Sequence, residues 1–356
     1  MFEQHTMLTD YPIEEQVALN QLKQKVAKVF VTGAGGFLGF AICKRLIAAG
    51  IAVVGFARSD YPKLTQMGVH LIQGDIANPE QVTEAMQGCD LVFHVASKAG
   101  VWGSKQSYFS PNVDGADNII NACQRLNIQY LIYTSTPSVT FAGEDENGIN
   151  EQAPYAKSYL NYYGESKAIA EKMMLAANSP HLKTTALRPH LIWGPNDPHL
   201  VPRVIERAKA GRLKLVGKQD KLVDTIYVDN AAYAHLLAAV DLTSAAKSAG
   251  KAYFLSNDQP ITMAQMLNKI LACVDLPPVS KRVPAGLAYG VGALLESVYL
   301  ALNKAEEPIM TKFVAKQLST SHYFDISAAK KDLGYQPLVS IDEGMLRLAD
   351  SLVSTR

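Results

Sequence analysis

The feature that most restricts what this chain can fold into is Thr32-Gly33-Ala34-Gly35-Gly36-Phe37-Leu38-Gly39, set between an apolar β-branched stretch, 28–32, and an amphipathic one, 38–49. Glycines at 33, 36 and 39 after a strand and before a helix form a phosphate-binding turn. Gly33 permits the tight turn, Gly36 lets a pyrophosphate approach the backbone, and Gly39 lets helix lie on strand. Free N–H groups where the helix starts, at Phe37 and Leu38, then hold the phosphates with help from the helix dipole. A P-loop is excluded, because no Gly-Lys-Ser/Thr follows.

The rest of the N-terminal half repeats that strand-then-helix rhythm. Strands are predicted at 28–32, 52–56, 70–73, 91–95, 130–134 and 184–187, and helices near 38–49, 79–87, 113–126 and 160–177. Asn78-Pro79 reads as an N-cap followed by proline in the first helical position. Alternation at this spacing predicts an α/β fold: a doubly wound parallel (Rossmann) sheet with a smaller C-terminal substrate lobe. Residues 1–25 read as an N-terminal extension, either a flexible arm or an added helix. Residues 26–190 read as the dinucleotide-binding domain, with segments near 224–256 returning to it. Residues 191–356, where proline and glycine cluster, read as mainly the substrate lobe.

Composition closes off other classes. A net charge of +1 leaves no electrostatic footprint for nucleic acid, and 48% hydrophobic with 19% charged residues suits a globular protein. The four cysteines have no metal-type spacing, and no paired histidines or HExxH appear, so no metal is expected. With no signal peptide, the chain reads as cytoplasmic. The apolar run 285–302 leaves three roles open: a membrane span, peripheral membrane contact, or a helix lining a greasy pocket. Glu296 and three glycines within it favour the pocket.

The cofactor follows from strand ends. Position 57, where NAD-preferring chains carry an acid, is alanine, and Arg58 comes next. A guanidinium there pairs with a 2′-phosphate that a carboxylate would repel, so NADP(H) is preferred over NAD(H). Asp75 and Ile76 follow the third strand, at the adenine edge. Ala96, Ser97 and Lys98 follow the fourth, near the cofactor's middle. Pro189 and Ile192, after the sixth strand, stand where backbone groups hold a carboxamide.

Tyr163-Gly164-Glu165-Ser166-Lys167 places a phenol and an ammonium one helical turn apart on one face. A phenol titrating near pH 10 is a poor acid–base catalyst at neutral pH, and a nearby cation favours its phenolate. Lys167 also has the reach to hold ribose hydroxyls. Tyr162 competes, but its partner four residues on is Ser166. The strand end Ser135-Thr136 offers hydroxyls to a substrate oxygen as charge builds on it, with Thr136 first and Ser135 second. Asn112 reads as a cap or a water-holding group, and His94 and His190 as wall histidines, with His190 also a candidate to touch substrate.

These motifs, followed by 226–232 (IYVDNAA), occur in the order of the extended short-chain dehydrogenase/reductases, which the chain resembles from residue 26 onward. The stretch Ser319 to Ser327, then Leu333-Gly334-Tyr335, is similar to the 3β-hydroxysteroid dehydrogenase branch. Lys98-Ala99-Gly100-Val101-Trp102-Gly103 and the Arg188 to Pro195 run look like bacterial 2-alkyl-3-oxoalkanoate reductases of long-chain olefin biosynthesis. The resemblance implies NADPH-dependent reduction of the 3-keto group of a long-chain 2-alkyl-3-oxoalkanoic acid. Tyr163 would give the proton, and Lys98, His190 and Arg203 are the candidates for meeting the carboxylate; Trp102 is a further substrate candidate. The 285–302 run would wall two acyl chains, at about 0.8 kcal/mol per methylene buried. The partners it implies are that hydrophobic small molecule, a second copy in a homodimer, and the condensing enzymes of the olefin pathway. A steroid alcohol dehydrogenase would use the same core. A sugar-nucleotide epimerase would want an acid at 57 and a polar lobe, and a non-catalytic dinucleotide sensor would lose the Tyr163/Lys167 pair.

Overall fold

Seven strands lie side by side, all parallel, in the order Lys251–Leu255, Lys183–Pro189, Tyr130–Thr134, Leu91–His94, Lys28–Thr32, Ala52–Ala57 and His70–Gln73. They belong to a computed structural model that describes residues 6–354, so residues 1–5 of the N-terminal extension lie outside the description. Helices cover both faces, which is why Val29, Phe30 and Val31 are all fully buried and the strand reads as one apolar run. Chain order reverses between Lys28–Thr32 and Leu91–His94. That switch point is where such sheets bind ligands, beyond the carboxyl ends of the strands.

The six expected strands are present, and the edge strand Lys251–Leu255 comes from beyond residue 190. Local chemistry sets the helix starts. The Asn78 side chain accepts from the Gln81 amide at 3.0 Å with Pro79 in the first turn, and Asn161 accepts from Gly164 at 2.9 Å to start Tyr162–Ala176. Short helices Pro62–Gln66 and Lys105–Phe109 were not legible as periods, being about one turn each.

Among its described residues, the N-terminal extension takes the second of the two expected forms, an added helix packed on the domain. Helix Ile13–Lys23 puts Ala18, Leu19 and Leu22 into the same core as the sheet. Glu15 forms a buried ion pair with Arg45, which also donates to Asp229 at 2.7 Å. Three helices are thereby tied by charge as well as by packing.

A smaller sheet, ordered Ile261–Thr262, Leu222–Val223, His322–Phe324 and Glu146–Ile149, carries the second lobe. Helix Ala285–Ala301 lies on Lys312–Ser319, with Gly292 so close to Thr311 that a side-chain carbon would fall 2.6 Å from its backbone. Its inner face is small; its outer face is not. Leu287, Val291, Leu294 and Val298 line one exposed stripe, and Leu300 is 70% exposed. Glu296, expected to interrupt the run, turns inward, accepting from the Lys312 amide at 2.7 Å and pairing with its ammonium at 3.1 Å. Among the described residues no helix is long and apolar enough to cross a membrane, which removes the spanning alternative.

Candidate active site

The turn at the switch point is built to bring helix and strand together. Gly33 has φ +64°, and a side-chain carbon there would lie 2.9 Å from the Ala96 backbone. One at Gly39 would lie 2.2 Å from the Gly33 carbonyl oxygen. Gly36 caps helix Phe37–Ala48, so the first amides, Phe37 and Leu38, have no acceptor within the helix. This cradle fits a dinucleotide pyrophosphate. Arg58 is exposed at the end of the neighbouring strand, next to the half-buried Ala57. Asp75 caps the Ala77 amide with its own side chain, while Ile76 is buried against Gly115.

Thr32 explains His94. The Thr32 hydroxyl accepts from the Val95 and Ala96 amides, both at 3.0 Å, so its own proton goes to His94 Nδ1 at 2.9 Å. His94 is therefore neutral with its proton on Nε2, and burial, then the charge of Lys167, push its pKa down to about 3. It is a wall residue that holds the fourth strand's exit.

Asn112 is a clamp rather than a helix cap. Its Oδ1 accepts from the Lys98 amide at 2.7 Å, and its Nδ2 donates to the Lys98 carbonyl and to Ser166 Oγ. It sits in a π-helical turn, Ser110–Asp114, that leads into the helix expected from 113 onward. The loop Ala96-Ser97-Lys98 is thus fastened to the helix bearing Tyr163. The Lys98 ammonium itself folds back onto Ser107 Oγ at 2.7 Å and over the Tyr108 ring.

Tyr163 is half-buried beside Thr136, whose hydroxyl accepts from the Ser138 amide at 3.2 Å. Burial pushes its phenol up from the ordinary value, and the Thr136 hydroxyl pulls part of the way back. Ser135 Oγ is buried beside it with no partner, a polar atom waiting for a group that the protein does not supply. Lys167 is 1% exposed; its ammonium donates to the Thr134 carbonyl at 2.6 Å and lies 4.1 Å from the Tyr133 ring centroid. Burial brings it down to about 7, with Glu171 acting the other way.

Pro189 and His190 are buried, and Leu191 between them and Ile192 has φ +46°, a strained conformation for leucine that turns the chain sharply at this strand exit. His190 faces the second lobe, with Nδ1 donating to the Asp224 carbonyl at 2.7 Å and its ring against His322 and Phe324. Burial lowers its pKa to about 4. Trp102 reaches across to the second lobe, donating to the Lys304 carbonyl at 3.1 Å with its ring edge-on to Tyr299. Arg203 is paired with Glu307 at the surface.

Sequence reasoning missed the buried group under this site. Arg188 donates to Glu171 through Nε at 2.9 Å and NH2 at 2.5 Å, and Tyr155 donates to the same carboxylate at 2.7 Å. Glu171 stands four residues beyond Lys167, a signal that was available; its partner across the sheet was not. A cavity of about 1180 Å³ opens beside the outer face of the glycine turn, lined by Tyr11, Phe37, Tyr61, Pro195 and Tyr227 among others. It touches none of Tyr163, Lys167, Thr136 or Ser135, so it is not the reaction chamber.

A chain that joins a dinucleotide turn to a phenol under a strand-end hydroxyl is equipped for reversible oxidation at an alcohol carbon. The class so defined is the NAD(P)-dependent oxidoreductases of the short-chain dehydrogenase/reductase type. Within it, residues 30–281 match the 3-beta hydroxysteroid dehydrogenase/isomerase family, and the chain belongs to that family. It is 69% identical to a 2-alkyl-3-oxoalkanoate reductase of Shewanella oneidensis, over 95% of this chain and 89% of that one. It is 34% identical to the decarboxylating sterol-4-alpha-carboxylate 3-dehydrogenase of Mus musculus, over 92% and 91%. Among solved structures, MoeE5 in complex with UDP-glucose and NAD is similar at a TM-score of 0.71, with 21% identity over 92% of this chain and 99% of that one. Likeness at that identity shows the fold alone.

Proposed function

We propose that this protein reduces the 3-keto group of a long-chain 2-alkyl-3-oxoalkanoic acid to the 3-hydroxy acid, in long-chain olefin biosynthesis and with a preference for NADPH. The observation that carries the substrate is the 69% identity, along nearly the whole chain, to a reductase of that name. Bound in the glycine cradle, a nicotinamide dinucleotide supplies the hydride. Phe37 and Leu38 amides would hold its phosphates, Arg58 a 2′-phosphate, and Lys167 its ribose hydroxyls, with Asp75, Ile76, the Ala96 to Lys98 loop, Pro189 and Ile192 as the further residues that would contact it.

Tyr163 donates its proton to the substrate oxygen as the carbonyl becomes an alcohol. Thr136, close to that phenol, and Ser135, with a free hydroxyl, stabilise the oxygen as it gains charge. In the reverse direction the same groups favour phenolate and accept the proton. The absence of an acid at Ala57 and the exposed guanidinium of Arg58 support the NADP(H) preference.

A sterol substrate is the second reading, favoured by the family and by the mouse relative. The two names describe one chemical unit: a carboxylate on the carbon next to the one that bears the oxygen. The exposed stripe of helix Ala285–Ala301, tied through Tyr299 to Trp102, is the surface the 2-alkyl-3-oxoalkanoate reading offers to acyl chains at entry, to a membrane or to the condensing enzymes.

Purified protein given the 2-alkyl-3-hydroxy acid and NADP⁺ is expected to form NADPH, and Tyr163→Phe is expected not to. Running the alcohol avoids the loss of carboxylate to which β-keto acids are prone. Turnover of a 3β-hydroxysterol alone would move the substrate to the second reading, and full activity in Tyr163→Phe would sink the mechanism.

A further inference from the structure

The phosphate turn carries a fourth glycine that its spacing does not require. Gly33, Gly36 and Gly39 recur every three residues, and Gly35 stands outside that rhythm. Its backbone does not call for glycine either, because its φ is not positive. The space beside it does. A side-chain carbon at Gly35 would fall 2.2 Å from Tyr61 Cε2 and 2.3 Å from Cδ2 and Cζ, so the edge of that ring lies across the glycine.

Tyr61 reaches the turn from the neighbouring strand end. Residues 58–61 join strand Ala52–Ala57 to the short helix Pro62–Gln66, and all four are exposed. The loop is tied at both ends. At its base the Gly33 amide donates to the Phe56 carbonyl at 2.9 Å, and the Gly74 amide donates to the Ala57 carbonyl at 3.0 Å. At its far end the Tyr61 carbonyl accepts from the amide of buried Leu64 at 2.9 Å, and the Tyr61 ring rests on Gly35. Arg58 lies between these ties and has no acidic partner among the described residues, so only the loop itself can fix where it stands. A loop already held in its binding position loses less freedom when a ligand arrives, and that saving appears as affinity.

We propose that Tyr61 is a positioning residue for the choice of dinucleotide: seated on Gly35, it fixes the 58–61 loop against the phosphate turn and so presents Arg58 to the 2′-phosphate of NADP(H). This rests on the NADP(H) preference and on Arg58 as the residue that meets that phosphate. NADP(H) and NAD(H) differ only in the 2′-phosphate, so loss of the seat weakens the first and leaves the second nearly alone. Gly35 is glycine because the ring takes the place of a side chain.

The test measures the affinity of purified protein for NADPH and for NADH, from the fluorescence of the bound dinucleotide and without turnover. Tyr61→Ala is expected to weaken NADPH about ten-fold and NADH less than about two-fold. Gly35→Ala, whose new methyl group displaces a side chain and not backbone, is expected to change the ratio in the same way. The double variant Gly35→Ala/Tyr61→Ala should be no worse than either single one, because both remove one contact. Tyr61→Phe keeps the ring and should bind both dinucleotides as wild type does. Should Gly35→Ala fail to fold, Tyr61→Ala and Tyr61→Phe decide between them. An unchanged ratio in Tyr61→Ala, with the ratio shifted in Arg58→Ala, would overturn the proposal, and so would a Tyr61→Phe protein that behaves like Tyr61→Ala. A ratio that stays at the wild-type value in Arg58→Ala would instead sink the assignment of Arg58 to the 2′-phosphate, on which the proposal stands.

Discussion

Lys167 and Tyr133 are stacked: the ammonium lies 4.1 Å from the ring centroid while it donates to the Thr134 carbonyl at 2.6 Å. The ring face stabilises the cation in a site with almost no water, by about 2 kcal/mol at such desolvated positions. Tyr133→Leu is therefore expected to lower alcohol oxidation at neutral pH by roughly ten-fold or more. Tyr133→Phe keeps the ring and also removes a buried hydroxyl that has no partner, so its activity is expected near wild type and its melting temperature no lower. Equal activity in both variants would show that the stacking does nothing.

Arg58 stands exposed at the strand end that, on the NADPH reading, would face a 2′-phosphate. A charge-assisted bond to phosphate contributes about 1.5–3 kcal/mol, so Arg58→Ala is expected to raise the KM for NADPH by roughly 10- to 100-fold. The KM for NADH should hardly move. Steady-state kinetics with both cofactors checks this, and equal effects on the two would place the 2′-phosphate elsewhere.

Glu15 anchors the N-terminal helix through Arg45, with both side chains buried. Glu15→Ala leaves Arg45 with Asp229 alone, and breaking a buried pair costs about 3–5 kcal/mol. The loss should appear in urea unfolding with the family's fold intact, and Glu15→Gln should lose less. A variant as stable as wild type would mean that the helix is held by Ala18, Leu19 and Leu22 without the charge.

His235 couples stability to acid. Its Nδ1 donates to the Ala231 carbonyl and its Nε2 accepts from the Thr134 hydroxyl, so a second proton has no place to go. Burial lowers its pKa from 6.5 to about 4. The unfolded chain binds this proton below pH 6.5 and the folded chain does not, so this stability is whole above 6.5 and is lost as pH falls toward 4. His235→Gln is expected to lose about 2 kcal/mol less than wild type between pH 7 and pH 5. Parallel losses in urea titrations at the two pH values would refute it.

The parts of this protein that the sequence by itself determined are those fixed by local rules. Thr32 to Gly39 specified a turn because three glycines between strand and helix leave few conformations, and Gly33 and Gly39 indeed stand where no side chain fits. Asn78-Pro79 set a helix start through one side-chain bond, and Tyr163 and Lys167 shared a face because helical spacing requires it. The rest was decided by contacts between residues far apart in the chain. Only the folded sheet brings Arg188 against Glu171, lends Asn112 to Lys98, and turns Lys98 away toward Ser107. Likewise the 285–302 run shows the same apolar composition whether it is buried or exposed. Which side met Lys312 and which met solvent followed from one close approach at Gly292 and one inward-facing Glu296, and tertiary packing alone supplies both partners.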